Sequence, residues 1–274
     1  MTDILSFFHY DFFINAFLAS LIISIPAGVI GTLVVANRLV FSAEGIAHSA
    51  FGGIGIALFL GISPYLGAGF FSILMAMFVA YSTFHSRERS DSIIGIVMAV
   101  SMSLGIIFMN LTPGYKSEPM TYLFGNILSV SRQDIIFISI FSVLLLMFVC
   151  IFYRKLLMVS YDPVFARIRK VNVGFWYVSI FLLISLTVVF VIKLVGIILL
   201  IALLSIPAYI AENYVRSLSS MMILSSLISV VMSLSGLFLS VIFDLPTSGS
   251  IVLTGGVIFF IHKIKLYFRE KVSQ

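Results

Sequence analysis

Charge is scarce in this sequence: 10% of its 274 residues are Asp, Glu, Lys or Arg, against about a quarter in a soluble domain. With 61% of the residues hydrophobic, that shortage excludes water as the solvent for most of the surface. Cysteine is scarcer still. Cys150 is the one thiol, which excludes a disulfide within the chain and any thiolate cluster built by a single copy. Long polar stretches are missing too, so a catalytic engine would have to be another polypeptide. The N-terminus has no basic segment and no small-residue cleavage site, and its first apolar run is too long for a secretory signal. That run is therefore expected to stay as a span.

What is present is a series of apolar runs near or above the ~20 residues that cross a hydrocarbon core. Nine can be read, at about 12–36, 39–60, 64–84, 92–110, 133–153, 174–192, 195–211, 218–240 and 249–267. The two that flank "VFVIKLVGII" are the least separate, and eight spans are the alternative. The expected fold class is all-α: a polytopic integral membrane protein in one transmembrane domain over 1–274. If the 155–173 connection is cytoplasmic, only Lys116, Arg132 and Lys193 of the 16 Lys and Arg fall outside. Such a bias predicts an outside N-terminus and a cytoplasmic C-terminus, and it makes nucleic acid an unnecessary explanation for the net charge of +5.

Inside the second run lies "SAEGIAHSAFGGIG", residues 42–55. A helix that starts after Arg38 carries Glu44 about 9 Å and His48 about 15 Å along its axis, deep in a core ~30 Å thick. Ionisable groups at that depth are costly and face a cavity or a partner. The i, i+4 spacing puts both on one helical face, where a carboxylate oxygen and an imidazole nitrogen can share one borderline divalent metal. A structural hydrogen-bonded pair, or a protonated Glu44, reads the same spacing equally well. Gly45, Ser49 and Gly53 recur every four residues as a ridge of small side chains that lets another helix approach. The other histidines, His9, His85 and His262, fall at ends or in a turn. Four ligands are thus easier to assemble at a two-fold axis between two copies.

Other features are local. "FDLPTSGSIVL" (243–253) puts Asp244 at the outer end of the eighth run, as a cation-attracting carboxylate at an outer mouth or as a plain helix end. Pro26 and Pro207 are expected to interrupt or kink their helices. Residues 110–134, with Pro113, Gly114 and Pro119, predict a turn and then a short helix at the outer surface. In "SYDPVFARIRKVNVGF" (160–175), Asp162 before Pro163 signals a helix start and Asn172 with Gly174 a stop. The short helix would carry Val164, Phe165 and Ile168 on one side and Arg167, Arg169 and Lys170 around the rest. It suits anionic headgroups or a cytoplasmic partner.

The segments "FSAEGIAHSAFGGIGIA", "DSIIGIVMAVSMSLGIIF", "YLFGNIL", "DPVFARIRKVNV", "VGIILLIALLSIPAYIAE" and "DLPTSGSIVL" follow one another in the order and spacing of the permease subunits of zinc/manganese-type ABC importers. The chain resembles that family over about residues 12–265, and more distantly the permeases of cobalamin and siderophore importers. The resemblance implies a cobalamin-importer-like permease fold in a bacterial or archaeal cytoplasmic membrane. It also implies a homodimer, two cytoplasmic ATPase subunits and an external metal-binding protein that delivers zinc, manganese or iron. Zinc is the cargo expected first, with manganese or iron as alternatives in the same machine. His48, and Glu44 where relatives often carry aspartate and some glycine, look like ligands of the translocation path, with Asp244 at the outer mouth. The segment 160–173 looks like the coupling region, with Asp162, Pro163, Phe165, Arg167 and Ile168 against the ATPase. No cofactor and no enzymatic activity of the chain's own are expected. No G-x-x-x-x-G-K-[ST] phosphate loop occurs in the sequence, in keeping with ATP bound elsewhere. A secondary metal/proton transporter, with Glu44 and His48 relaying protons, is the rival reading. An intramembrane metalloenzyme is disfavoured because "EGIAH" is not H-E-x-x-H.

Overall fold

The computed structural model describes residues 9–85, 90–113 and 120–272. Among them there is no β-strand. The first helix, α1 (Asp11–Ala36), runs through Pro26 without a break. Ser20, Ser24 and Thr32 turn their hydroxyls onto the carbonyls of Ala16, Ser20 and Gly28 at 2.7–2.9 Å. Such back-bonding satisfies polar side chains where no water is at hand. A three-residue turn follows, with Arg38 in the left-handed region (φ 59°). There Asn37 Nδ2 donates to the Leu33 carbonyl and to Ser160 Oγ. Then come α2 (Val40–Phe59), α3 (Pro64–His85) and α4 (Ser90–Leu111).

The connection after α4 forms α5 (Met120–Phe124) and a 3-10 turn at Ile127–Ser129. The expected short helix is present, and the turn expected before it, at Gly114 and Pro119, lies outside the described residues. Next, α6 (Arg132–Tyr161) opens on a reciprocal cap in which Ser131 and Asp134 bond each other's backbone N–H. The 160–175 segment folds into α7 (Pro163–Ile168), with Asp162 Oδ1 accepting from Phe165 N–H at 2.8 Å. The expected stop at Asn172 and Gly174 is corrected. The turn is made by Lys170 (φ 57°), and Asn172 instead caps the start of α8 (Val173–Glu212) by accepting from Phe175 N–H. The last helices are α9 (Leu218–Phe243) and α10 (Thr247–Val272).

The 40 residues of α8 would reach ~60 Å if straight, twice a hydrocarbon core. They do not run straight. The first limb lies antiparallel to α6: Trp176 sits under Lys155, Phe190 stacks on Phe141 with centroids 4.3 Å apart, and Lys193 pairs with Asp134. By Ser219 the chain is back beside Tyr153, whose hydroxyl accepts from the Ser219 N–H at 3.0 Å. Asp134 and Tyr153 are nearly thirty ångströms apart along α6 at ~1.5 Å per residue, so α8 must double back between them. It does so at Gly196, whose φ of 75° and ψ of 175° are not helical. Only glycine adopts that conformation readily. The tip is packed: a Cβ on Gly196 would strike the backbone of Phe124 and Gly125, and Ser248 Oγ donates to the Val195 carbonyl. Pro207, expected as the hinge of this region, lies buried within the second limb.

Phe137, Ile140 and Ile151 on α6, Ile223 and Leu227 on α9, and Val257 and Phe260 on α10 face outward. A belt of exposed large apolar side chains on otherwise complete helices is a lipid-facing surface. Among the described residues, seven helices are long and apolar enough to cross a membrane, namely α1, α3, α4, α6, α8, α9 and α10. The expected nine, or eight, is not matched by that number, for two physical reasons. Glycine, serine, Glu44 and His48 dilute the hydropathy of α2, and the runs at 174–192 and 195–211 belong to one doubled-back element.

Candidate metal site and the short helix α7

Glycine sets the position of α2. A Cβ on Gly52 would lie 2.6 Å from the Ser101 carbonyl oxygen of α4. Gly53 likewise has no room beside Gly67 of α3, nor Gly55 beside Gly105 of α4. Of the predicted ridge, Gly53 meets the α3 backbone and Gly45 the Ile94 side chain of α4, so its small residues serve packing inside the chain. Ser49 closes its own hydroxyl onto the Gly45 carbonyl at 2.7 Å. Between Ser42 and Gly55 only Glu44 and His48 stay partly uncovered, a narrow stripe that continues onto Val40 and Phe41; Ile56, Leu58 and Phe59 are uncovered at the far end of α2.

His48 Nε2 and Glu44 Oε1 are 3.8 Å apart, with the side chains 14% and 33% exposed. That separation is too long for a hydrogen bond, so the two groups share one face of α2 without satisfying each other. His48 Nδ1 is buried and has no hydrogen-bond partner among the described residues. An orphaned buried ring nitrogen is unusual, and a carboxylate oxygen beside an imidazole suits a borderline divalent cation. One copy supplies no more than this pair. Among the described residues no three His, Cys, Asp or Glu side chains gather closely enough to hold a metal ion.

The other expected site residues lie elsewhere. Asp244 is exposed and takes the left-handed conformation (φ 52°) that ends α9, its N–H bonded to the Ser240 carbonyl. On α7, Val164, Phe165 and Ile168 are exposed, Ile168 at 74%, while Ala166 is buried. Arg169 lies over the Phe165 ring at 5.3 Å. Beside this helix opens a polar cavity of about 670 Å³ whose walls include Arg38, Ser42, Asp91 and Arg167.

Three features at the opposite end of the bundle from α7 were not foreseen. Arg132 bonds Asp11 at 3.0 Å, linking α6 to α1, and Lys193 pairs with Asp134, linking α8 to α6. Two of the three basic residues that broke the charge bias are thus neutralised by carboxylates. The Ser131–Asp134 spacing is a legible capping signal, but nothing local in the sequence reveals its long-range partner. The Gly125–Gly196 crossing left no signal beyond two glycines.

A helical membrane protein with lipid-facing apolar helices and a metal-type ligand pair on a buried helix belongs to the polytopic metal-ion permeases. The profile of the ABC 3 transport family matches residues 9–265, and the chain belongs to that family, as a permease of the metal-ion ABC importers. It is 34% identical to the manganese transport system membrane protein MntC of Listeria innocua over 92% of this chain and 90% of that protein. It is 32% identical to the manganese import system permease protein ScaB of Streptococcus gordonii over 96% of each. Among solved structures, PsaBC from Streptococcus pneumoniae, in complex with Fab, superposes with a TM-score of 0.84 at 30% identity, covering 94% of this chain and 95% of that one. An inward-facing putative metal-chelate type ABC transporter at 18% identity, with a TM-score of 0.75 over 92% of this chain and 85% of that one, shares the fold.

Proposed function

We propose that this chain is the membrane-spanning subunit of an ATP-driven importer of divalent transition-metal ions, with manganese as its cargo. The observation that carries the reading is the pair Glu44 and His48, partly uncovered side by side in the buried middle of α2, with His48 Nδ1 unpartnered. Two copies meeting across that stripe would bring two carboxylates and two imidazoles to one passage. Such a set, without thiolate, binds loosely enough to release. The expectation that placed zinc first rested on side-chain chemistry that zinc, manganese and iron share; the names of MntC and ScaB favour manganese.

The rest of the machine follows from the family. ATP is hydrolysed on separate cytoplasmic ATPase subunits, and an external metal-binding protein delivers the ion. The apolar side chains of α7, with Asp162 and Pro163 fixing its start and Arg167 on its flank, form the surface through which ATPase movement reaches the membrane helices. Asp244 lies at the outer mouth. The doubling back of α8 supports nine crossings, counting α2 and each limb of α8 once, with the N-terminus outside and the C-terminus in the cytoplasm. ATP-dependent alternating access would then open and close the paired α2 helices around the ion.

The test is uptake of radioactive manganese into proteoliposomes that hold the permease, its ATPase and the external binding protein. His48→Ala is expected to abolish ATP-dependent uptake while the dimer still assembles. Normal uptake by that variant removes the site, and wild-type protein that carries zinc but no manganese reassigns the cargo.

A further inference from the structure

Away from Glu44 and His48, at the outer end of the bundle, a crevice of about 180 Å³ opens between α3, α6 and the first limb of α8. Its walls are apolar, formed by Phe137, Ile138, Val189, Phe190 and Leu194. Phe137 and Phe190 are exposed to the surroundings, and the Phe190 ring is held in place by stacking on Phe141. The α3 side of the crevice is formed by Tyr65. At the outer mouth the lining changes character to Asp134, Lys193 and Tyr65. The Lys193 ammonium pairs with the Asp134 carboxylate and lies 4.8 Å from the centre of the Tyr65 ring. The Asp134 side chain is 14% exposed, so the charges sit at the rim of the crevice, one helical turn above its apolar part.

The geometry points to a binding site for one phospholipid of the outer leaflet, with an acyl chain in the crevice and the headgroup on the Asp134–Lys193 pair. An ammonium and a carboxylate side by side are the complement of a zwitterion that carries a phosphate and a primary amine. The phosphate accepts from Lys193 Nζ and the amine donates to Asp134. An anionic headgroup without an amine would meet Asp134 with like charge. A quaternary ammonium has no N–H to donate, so phosphatidylethanolamine is preferred over phosphatidylcholine and phosphatidylglycerol. The apolar walls supply the burial that holds the chain, and the site joins α3, α6 and α8 where the Gly196 reversal begins.

The test is native mass spectrometry of the permease dimer released from nanodiscs that contain phosphatidylethanolamine, phosphatidylcholine and phosphatidylglycerol in equal parts. Wild-type protein is expected to retain one phosphatidylethanolamine per chain, about tenfold over either competitor. Val189→Trp, which fills the crevice, should lose it, and Lys193→Met should lose the headgroup preference. Ile138→Phe fills the crevice from the α6 wall should Val189→Trp fail to assemble. Independently of any variant, phosphatidylethanolamine with a photoreactive acyl chain should label peptides spanning 137–141 or 189–194. Equal retention of the three lipids, unchanged binding by an assembled filled-crevice variant, or labelling confined to other helices overturns the proposal.

Discussion

His48 keeps a buried nitrogen with no partner, and that is the most telling single atom in the chain. A structural histidine would normally have been given a bond for each ring nitrogen, because an unsatisfied buried donor or acceptor costs about 1–3 kcal/mol. Glu44→Gln keeps shape and hydrogen bonding but removes the charge. It is expected to lower ATP-driven manganese uptake about tenfold or more while leaving the dimer intact, read as initial rates in proteoliposomes. Asp244 offers a milder case. Asparagine tolerates the left-handed conformation, so Asp244→Asn isolates charge from fold. Uptake should fall a few-fold at low ionic strength and recover in ~0.5 M salt if the carboxylate only gathers cations at long range.

At the level of elements, α7 and the α8 reversal make opposite demands. The apolar residues of α7 are displayed rather than packed. Phe165→Asp with Ile168→Asp should therefore leave the permease folded yet weaken ATPase co-purification by about 30-fold or more, the loss of a ~2 kcal/mol anchor. Gly196 is the reverse case, wholly enclosed. Gly196→Ala adds ~1–3 kcal/mol of backbone strain and a clash with the Phe124–Gly125 backbone, so the thermal midpoint in detergent should drop and membrane yield fall. The short α7 was readable from Asp162–Pro163 because a helix start is a local matter, fixed by one side chain and one ring. The reversal was not readable as such. Apolarity continues through Gly196, and the contacts that fold the helix back come from α5, α6 and α10, distant in sequence.

Across the whole molecule, most of the architecture could be read from apolar run length, and the Glu44–His48 pair from its cost in lipid. What escaped was pairing over distance. Asp11 and Arg132 lie 121 positions apart, and Lys193 reads as a span boundary until Asp134 is seen beside it. The doubled-back α8 also makes topology testable. In a Cys150→Ser background, Arg169→Cys and Ser219→Cys should react with a membrane-impermeant maleimide only after permeabilisation, whereas Leu245→Cys should react in intact cells. If Arg169 and Ser219 label from opposite sides, α8 crosses once and the nine-crossing reading fails.

Finally, the glycine-to-backbone approaches that hold α2 against α3 and α4 weld those three helices into a stiff panel. On the other side of the short Asn37–Leu39 turn, α1 leans on α8 and α9, where Gly31 and Gly28 abut Leu204 and Ser226, while α3 is tied to the first limb of α8 through Ser72–Ser185 and Thr83–Tyr177. A panel of that kind cannot flex internally without separating main chains that have no side chains between them. A displacement of α2 would therefore carry α3 and α4 with it as one leaf.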